Sequence, residues 1–408
     1  MSKKVAIVGA GHTEFGELWH RSWIDLVEEA GLEALEDADI EKRDIDKFFI
    51  GNMSLGMFAG QEHTAAKVFS EVFDGKSSSE LLGRRIEGAC SSGGLALEAG
   101  FNDVLAGLER DEDRIILVGG FEKMTDKPTE EATRILAGAS DVEKEIGFTF
   151  PALYGMMKDR YLYETDAEED DFHLIAVKSH KNATLNPKAQ YNFEITLDTV
   201  KNSTAVADPT KLFNASGIAD GAAVVIMTTE DRAKELGADY VLLEDIQGRN
   251  DTIALYERDD LLTLSATEKA AESVFEKTSL EPEDVDVAEV HDCFSVAEAL
   301  ALEDLGFYPK RKSWKGIRKS LEEIDGMSPP VPYELENGHK VYINTSGGLK
   351  AKGHPVGATG VAQAVEVVDQ LRGKCGERQV EDAKIGLTHN VGGSGGTAVV
   401  GIYKKPDM

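Results

Sequence analysis

A glycine-rich loop of small residues leads into a helix-like stretch twice in this sequence, and the fold follows from that repetition. The first stretch spans residues 88–100, where small residues around Cys90 lead into a helix-like pattern that ends near Leu108. The second loop spans residues 353–360 and precedes a helix-like stretch at 361–371. An apolar strand follows in each case, at residues 114–120 and at residues 383–388. Duplication of one β-α-β unit is the simplest explanation of this repeated pattern of loop, helix and strand.

Strand-like and helix-like patterns also alternate along the rest of the chain. They predict strands at residues 5–8, 48–50, 223–227, 285–290 and 397–403, and helices at residues 23–37, 265–278 and 295–305. Such alternation with short loops is typical of an α/β protein whose sheet is covered by helices on both faces.

The length and one shift in composition suggest the domain organisation. A chain of 408 residues is too long for one compact core. After Glu122 the pattern becomes charged and irregular, which favours a helical insertion lying over the sheet. We therefore predict an N-terminal half (1–122), an insertion (123–204), the completion of the N-terminal half (205–236) and a C-terminal half (237–408).

Composition excludes several classes of function. The net charge of −30 repels phosphate backbones and argues against nucleic-acid binding. No apolar run approaches membrane-spanning length, and the N-terminus does not resemble a signal peptide. The three cysteines lack metal-type CxxC spacing, so we expect free thiols in a reducing cytoplasm.

A dinucleotide-binding loop is also disfavoured. Residues 9–16 follow a buried strand and begin with Gly-Ala-Gly, as a Rossmann loop does. The third glycine of the G-x-G-x-x-G pattern would fall at Glu14, so the fingerprint is broken.

Cys90 is the first candidate for catalysis. Small residues surround it at the start of a helix-like stretch, so we expect a tight turn at a helix N-terminus. The helix dipole and free backbone N–H groups there should lower the thiol pKa from its usual value of about 8.5. The alternative is a buried structural cysteine.

Three further loops carry candidate groups. His354 lies in a Gly-His-Pro turn at a loop-to-helix junction. His291 and Cys293 directly follow an apolar strand, and the carboxyl ends of strands in open α/β sheets are where ligands bind. Gly392 and Gly393 open a loop whose backbone N–H groups could bind an oxyanion.

A nucleophilic thiol, a histidine and a second thiol of near-neutral pKa suit acyl transfer combined with proton abstraction beside a carbonyl. A zinc site is the rival interpretation of the same residue types. His291 and Cys293 supply only two close ligands, so we predict no metal.

The sequence resembles the thiolase family over essentially its whole length, most closely the archaeal acetyl-CoA acetyltransferase and sterol-carrier-protein-X types. The motifs that carry the resemblance are Cys90-Ser91-Ser92, His291-Asp292-Cys293-Phe294, Gly353-His354-Pro355 within residues 344–360, and Asn390-Val391-Gly392. The resemblance implies two βαβαβαββ halves in a five-layer α-β-α-β-α sandwich with an inserted loop domain.

The resemblance also implies roles for the candidate residues. Cys90 matches the acylated nucleophile, and His354 matches the histidine that activates it. The Gly392 amide, with that of Cys90, matches the oxyanion hole. The substrate-binding positions implied are Ser346, Gly347, Gly348 and Phe294.

Two departures from the better-studied biosynthetic thiolases affect the proton transfer. Those enzymes carry Asn-Glu-Ala-Phe where this chain has the motif beginning at His291, and Asn390 stands where they have a second catalytic cysteine, at the oxyanion hole. Relatives with His-Asp-Cys-Phe point to Cys293 as the base and to His291 in the oxyanion role. Cys375 lies in a polar turn and is an unlikely substitute.

The resemblance implies an acetyl-CoA C-acetyltransferase that condenses two acetyl-CoA to acetoacetyl-CoA and feeds mevalonate synthesis. Coenzyme A thioesters are the implied substrates, and no cofactor is implied. The alternatives are a degradative 3-ketoacyl-CoA thiolase and a non-catalytic acyl-CoA carrier or scaffold. Ketosynthases and HMG-CoA synthase are disfavoured by Cys293. The implied partners are a second or further copies, as a homodimer or homotetramer, and an HMG-CoA synthase with a zinc-ribbon/OB-fold protein.

Overall fold

A computed structural model of the protein describes residues 4–73, 81–110 and 112–406. Eleven strands form one mixed sheet, and two more form a separate hairpin. The strands are β1 (Val5–His12), β2 (Lys47–Gly51), β3 (Leu82–Ile86), β4 (Ile116–Glu122), β5 (Ala205–Ala207), β6 (Thr210–Lys211), β7 (Gly221–Thr229), β8 (Val241–Asn250), β9 (Val287–Glu289), β10 (Tyr333–Glu334), β11 (Lys340–Ile343), β12 (Ile385–Gly392) and β13 (Thr397–Lys404).

The two halves of the large sheet repeat one topology. In the first half the strand order is β1-β7-β4-β2-β3, and in the second it is β8-β13-β12-β9-β11, with β10 added at the edge. β2 pairs in parallel with β3 and β4, as β9 does with β11 and β12. The remaining pairs are antiparallel in both halves. The predicted duplication of an α/β unit is therefore confirmed.

The halves join edge to edge through their first strands. β1 and β8 pair antiparallel, with Val5 opposite Leu243, Ala6 opposite Leu242 and Ile7 opposite Val241. This short seam makes the two five-stranded units one continuous sheet.

Helices fill the layers around and between the two units. They are α1 (Trp23–Asp37), α2 (Leu55–Ala59), α3 (Thr64–Glu71), α4 (Ser92–Leu108), α5 (Thr129–Ala137), α6 (Phe150–Glu164), α7 (Glu169–Ala183), α8 (Leu197–Lys201), α9 (Glu230–Leu236), α10 (Ser265–Thr278), α11 (Ser295–Asp304), α12 (Ser313–Leu321), α13 (Gly348–Lys352) and α14 (Thr359–Arg372).

The middle layer consists of α4 and α14, which pack against each other and against strands of both halves. α14 is buried nearly all round, as a helix enclosed between two sheet layers must be. α1 covers the outer face of the first unit and α10 covers that of the second. The order is helix, sheet, helices, sheet, helix, which is the five-layer arrangement that the family resemblance implied.

The insertion is helical, as predicted, but its helix α7 packs on other helices, whereas we expected the insertion to lie over the sheet. α7 packs on α11, α12 and α13 of the second half rather than directly on the sheet. Its Phe172 and Ile175 belong to the same apolar core as Leu300 of α11. The domain boundaries themselves stay a prediction.

Two local expectations need correction. Residues 389–396 were expected to form a loop, but β12 continues to Gly392 because residues 389–392 pair with β13. The stretch around Tyr154 looked irregular, yet α6 is a regular helix that buries Tyr154, Met157 and Tyr161 along one face. In the parts of the chain that the structure describes, every helix is too short or too polar to cross a bilayer.

Candidate active site

Cys90 lies in a turn of 3-10 helix, Ala89–Ser91, that runs into the N-terminus of α4, as the sequence predicted. Two serine hydroxyls fold this turn. Ser91 Oγ donates to the Gly88 carbonyl at 2.5 Å, and Ser92 Oγ donates to the Ala89 carbonyl at 2.6 Å. Ala89 has a φ of 54°, a left-handed conformation that a residue with a side chain adopts only when its surroundings enforce it. The position of the thiol is therefore fixed locally.

Asn390 clamps the Cys90 turn from the second half of the molecule. Its Oδ1 accepts a hydrogen bond from the Gly94 amide at 3.1 Å, and its Nδ2 donates to the Cys90 carbonyl at 3.0 Å. Nδ2 also lies 3.3 Å from His291 Nδ1. Because these contacts occupy the side chain, the structure places Asn390 as a positioning residue, whereas the sequence suggested an oxyanion-hole residue.

An apolar cavity of about 280 Å³ lies over the Cys90 sulfur. Four predicted site residues line it, namely Cys90, Cys293, Phe294 and His354. The insertion contributes much of the remaining lining, and further residues come from both halves. Among them are Met124, Leu136, Phe150, Tyr154, Val356 and Gly393.

Three reactive side chains meet at one point of this site. One ligand-type atom from each of Cys90, His291 and His354 lies within 4.8 Å of the other two. The imidazole rings of His291 and His354 meet edge to face, with their centroids 5.1 Å apart. A sulfur and two imidazole nitrogens at such separations can pass a proton or hold a thiophilic cation.

The pKa of the Cys90 thiol is raised to about 12, mainly because burial removes water from the thiolate. Hydrogen bonds from the Gly393 amide and from the amide of Cys90 lower the pKa, but by less than burial raises it. The expected lowering at the helix N-terminus is therefore wrong, because the turn is enclosed. Cys90 is a thiol at neutral pH and needs a base to become nucleophilic.

His354 is arranged to be that base. Its Nδ1 lies 2.7 Å from Thr359 Oγ1, and this hydroxyl donates its proton to the Pro355 carbonyl at 3.1 Å. The hydroxyl must then accept a hydrogen bond from His354 Nδ1–H, which leaves Nε2 unprotonated. Burial lowers the pKa of His354 to about 4, so the ring is neutral and ready to accept a proton.

His291 has the opposite tautomer. Its Nδ1 faces the donating Nδ2 of Asn390, so the proton is on Nε2. That Nε2 is buried and has no hydrogen-bond partner among the described residues. Burial, with His354, His389 and Lys350 nearby, holds the pKa of His291 well below its usual value. His291 is thus a neutral hydrogen-bond donor with a free N–H, which suits a developing oxyanion.

Cys293 is the second thiol in the cavity. Burial raises its pKa far above the usual range, and the neighbouring Cys90 raises it further. Tyr154 and Lys350 act in the opposite direction. The near-neutral pKa that we expected is therefore wrong, because burial leaves the thiolate with little stabilisation by water.

A buried ion pair holds the loop that carries His291 and Cys293. Lys350 Nζ lies 3.2 Å from Asp292 Oδ2 and donates to the Asp292 carbonyl at 2.8 Å, and both side chains are fully buried. The Leu349 amide donates to Asp292 Oδ1 at 2.6 Å. The two loops of the second half are therefore locked to each other.

The predicted substrate-binding residues Ser346, Gly347 and Gly348 do not line the cavity. Ser346 Oγ donates to Glu289 Oε2 at 2.5 Å. Gly348 has a φ of 60°, and a side chain there would overlap the Asp292 carboxylate. These residues shape the loop beneath the site.

Gly392 and Gly393 have separate positions. Gly393 lines the cavity, and its amide hydrogen-bonds with Cys90. Gly392 ends β12, and a side chain there would overlap the Gly88 carbonyl beside the Cys90 turn. The glycine amide that bonds to Cys90 is thus that of Gly393, the second glycine of the predicted loop, whereas the family resemblance implied the Gly392 amide.

Two family models match the chain, the thiolase N-terminal domain over residues 5–231 and the thiolase C-terminal domain-like model over residues 248–405. The chain belongs to the thiolase family. The acetyl-CoA acetyltransferase of Methanothermobacter thermautotrophicus is 44% identical, over 99% of this chain and 100% of that protein. The acetyl-CoA acetyltransferase of Methanocaldococcus jannaschii is 40% identical, over 98% of each.

A solved structure supports the thiolase fold. Human mitochondrial 3-ketoacyl-CoA thiolase in complex with CoA matches with a TM-score of 0.72, over 99% of this chain and 98% of that chain. Because the two sequences are only 18% identical, this match supports the fold and nothing further.

Sequence reasoning missed three residues of this thiolase site. Tyr154 could have been found from the helical spacing of Tyr154, Met157 and Tyr161. Thr359, which orients His354, and Lys350, which pairs with Asp292, carry no signal of their own in one sequence. The third thiol, Cys375, is buried with its sulfur 3.7 Å from Glu366 Oε1 and does not line the cavity.

Proposed function

We propose that this thiolase is an acetyl-CoA C-acetyltransferase that condenses two acetyl-CoA to acetoacetyl-CoA and CoA, and that it also runs in reverse. The observation that carries the proposal is the meeting of two thiols and a neutral histidine in one apolar cavity. The names of the two archaeal relatives support the substrate.

In the first half-reaction His354 Nε2 takes the proton of Cys90 as the sulfur attacks the thioester carbonyl. The tetrahedral intermediate expels CoA, and CoA takes its proton from Cys293. The products are free CoA, acetyl-Cys90, protonated His354 and a Cys293 thiolate. The same event that completes acylation thus creates the base for the next step.

In the second half-reaction the Cys293 thiolate removes a proton from the methyl group of the second acetyl-CoA. The resulting enolate attacks the carbonyl of acetyl-Cys90. Collapse of that intermediate releases acetoacetyl-CoA, and the Cys90 sulfur recovers its proton from His354. Every group ends in its starting protonation state.

Hydrogen-bond donors stabilise the charges that develop on oxygen. The His291 Nε2–H suits the enolate oxygen because it is buried and unpartnered. The Gly393 and Cys90 amides suit the oxyanion formed at the acyl-cysteine. Each positioned proton transfer contributes about 10²–10⁴-fold and each donor about 10²–10³-fold to the rate.

Two variants and a matched control test this assignment. Cys90→Ser should stop the formation of a radiolabelled acyl-enzyme. Cys293→Ser should still acylate but fail to exchange the acetyl methyl protons with solvent. Cys375→Ser removes the thiol outside the cavity and should do both. Rapid proton exchange by Cys293→Ser would remove Cys293 from the mechanism, and a wild-type protein inactive in thiolysis of acetoacetyl-CoA would refute the function.

Degradative cleavage of longer or branched 3-ketoacyl-CoA is the second candidate. The apolar side chains of Met124, Leu136 and Phe150 in the cavity wall favour it, since they could pack on a longer acyl chain. A series of 3-ketoacyl-CoA substrates of increasing length separates the two, because an acetyltransferase loses kcat/KM beyond the four-carbon substrate.

The proposed setting is a cytoplasmic homodimer or homotetramer that feeds mevalonate synthesis. We also propose a complex with an HMG-CoA synthase and a zinc-ribbon/OB-fold protein. The support for a partner is the short insertion, residues 123–204, which limits the surface available to grip coenzyme A. Co-purification that yields only a homo-oligomer would count against the complex.

A further inference from the structure

Tyr154 reaches the catalytic centre from the insertion. It lies on α6 and is completely buried, and its ring stacks on Phe294 with the centroids 4.7 Å apart. Its hydroxyl donates to the Gly393 carbonyl at 3.1 Å. Tyr154 and Cys293 line the same cavity, and a hydrogen-bond interaction with the phenol lowers the pKa of the Cys293 thiol. The phenol therefore bonds to the turn beside the nucleophile and shares the cavity with the proposed base.

The proposed reaction needs a donor at this position. Expulsion of CoA leaves a negative sulfur at Cys293 in an apolar cavity, and a buried unpaired charge is costly. Cys90 and Asp292 face Cys293 and disfavour its negative charge, whereas Lys350 favours it. Lys350 Nζ already donates to the Asp292 carbonyl and pairs with the Asp292 carboxylate. Tyr154 offers a hydrogen bond that favours the negative charge at the sulfur.

We propose that Tyr154 is a catalytic residue whose hydroxyl turns from the Gly393 carbonyl to the Cys293 thiolate during the acyl-enzyme stage. This inference rests on the proposed function. The phenol keeps its proton throughout, so the proton balance of the reaction is unchanged. Burial, with Cys293 and Cys90 nearby, raises the pKa of Tyr154 well above its usual value, and Arg258 opposes this only in part. The hydroxyl is thus a donor and not an acid.

Tyr154→Phe is the direct test because it removes the hydroxyl and retains the ring that stacks on Phe294. We expect the variant still to form the acyl-enzyme, at a rate lowered by less than the rate of exchange, because attack by Cys90 precedes formation of the Cys293 thiolate. Exchange of the acetyl methyl protons should be about 10- to 100-fold slower, since hydrogen bonds to charged groups are the strong ones. Alkylation of Cys293 by iodoacetamide between pH 7 and 9, followed by mass spectrometry, should be slower by about 10-fold or more at each pH.

Tyr161→Phe is the matched control. Tyr161 lies on the same helix and is equally buried, but its hydroxyl contacts Glu303 and Ser313, away from both thiols. It should lower stability without changing proton exchange or the alkylation profile of Cys293.

The two readouts distinguish the possible outcomes. Wild-type exchange and an unchanged alkylation profile in Tyr154→Phe would overturn the role of Tyr154 and leave the thiolase assignment intact. An acylation rate lowered as much as the exchange rate would also overturn it, because the hydroxyl would then act at the attack by Cys90, before the Cys293 thiolate forms. If wild-type protein itself lacks thiolysis activity, the proposed function fails and not only this inference.

Discussion

The loops that follow the third strand of each half occupy equivalent places in the duplicated fold and are built differently. In the first half, residues 87–91 connect β3 to α4 and present Cys90. In the second half, residues 344–358 connect β11 to α14 and present His354. Hydroxyl-to-backbone hydrogen bonds hold the short loop, whereas buried ion pairs hold the long one.

The difference shows that the two halves of the duplicated fold contribute different groups to the site. The first half supplies the proposed nucleophile, Cys90, and the second half supplies His291, Cys293, His354 and Gly393. The short turn aims one sulfur, whereas the longer loop presents His354 and, through Lys350, also holds the segment that carries His291 and Cys293. Lys350 and Lys352 stabilise that loop by pairing with Asp292 and Glu289. Backbone hydrogen bonding and buried charge are thus two ways to position catalytic groups on one topology.

Removing a buried lysine from the long loop should give the largest loss of stability and is the strongest test of this comparison. Lys350→Met leaves the Asp292 carboxylate buried without its cation, which costs about 3–5 kcal/mol. We expect that loss in the free energy of unfolding by urea titration, together with lower thiolysis activity. Lys67→Met is the control in the first half, since its pair with Glu71 is nearly half exposed. It should change stability by at most about 0.5 kcal/mol. Equal losses of stability in Lys350→Met and Lys67→Met would refute the difference between the two loops.

The contact between the two halves is tested by Gly360→Ala, with a smaller expected effect. A methyl group at Gly360 would overlap the Gly94 amide and the Asn390 side chain that holds Cys90. Overpacking there should cost about 3 kcal/mol and slow acylation of Cys90. The control is Gly31→Ala in α1, where a methyl group meets nothing within 4 Å. It should stabilise the protein by about 0.5–1 kcal/mol. Wild-type acylation by Gly360→Ala would show that the clamp is not needed.

The buried histidines of the second half predict a loss of stability in acid. Burial lowers the pKa of His354 to about 4 and that of His389 to about 3. An unfolded histidine takes up its proton near pH 6.5, so between these values the unfolded chain binds more protons and stability falls as the pH falls. One such histidine contributes about 2 kcal/mol of this loss between pH 6.5 and 5.

His389→Gln isolates one of these contributions. Its stability, measured by urea unfolding from pH 7.5 to 5, should fall less steeply than that of the wild type. The difference in slope should approach one proton. A His389→Gln variant that loses stability between pH 7.5 and 5 as steeply as the wild type would mean that this ring protonates without cost in the fold.

Features encoded by nearby residues could be predicted from the sequence. The bounds of α1 and α10 are as predicted, and Cys90 lies in the turn that its small neighbours indicated. The fold class followed from the repeated loop and helix, and the sheet order shows the same repetition. These signals are short-range, since caps, turn residues and periodicity act within a few residues.

Features that depend on packing could not be predicted. The thiol pKa of Cys90 is set by enclosure, which cancels the effect of the helix N-terminus. The Asp292–Lys350 pair joins residues that one sequence gives no reason to connect. Residues 389–392 are polar or glycine-rich, yet pairing with β13 draws them into a strand. In each case a distant segment decides the outcome.

The seam between β1 and β8 has a consequence for the origin of the molecule. The first residue of β1, Val5, faces the third of β8, Leu243, and the first residue of β8, Val241, faces the third of β1, Ile7. Such a contact is isologous, as in a two-fold symmetric dimer. Each half therefore carries an edge complementary to a copy of itself. An ancestral half-length chain could self-associate through this edge, and fusion of two copies then freed each half to diverge, one towards the nucleophile and the other towards the acid–base groups.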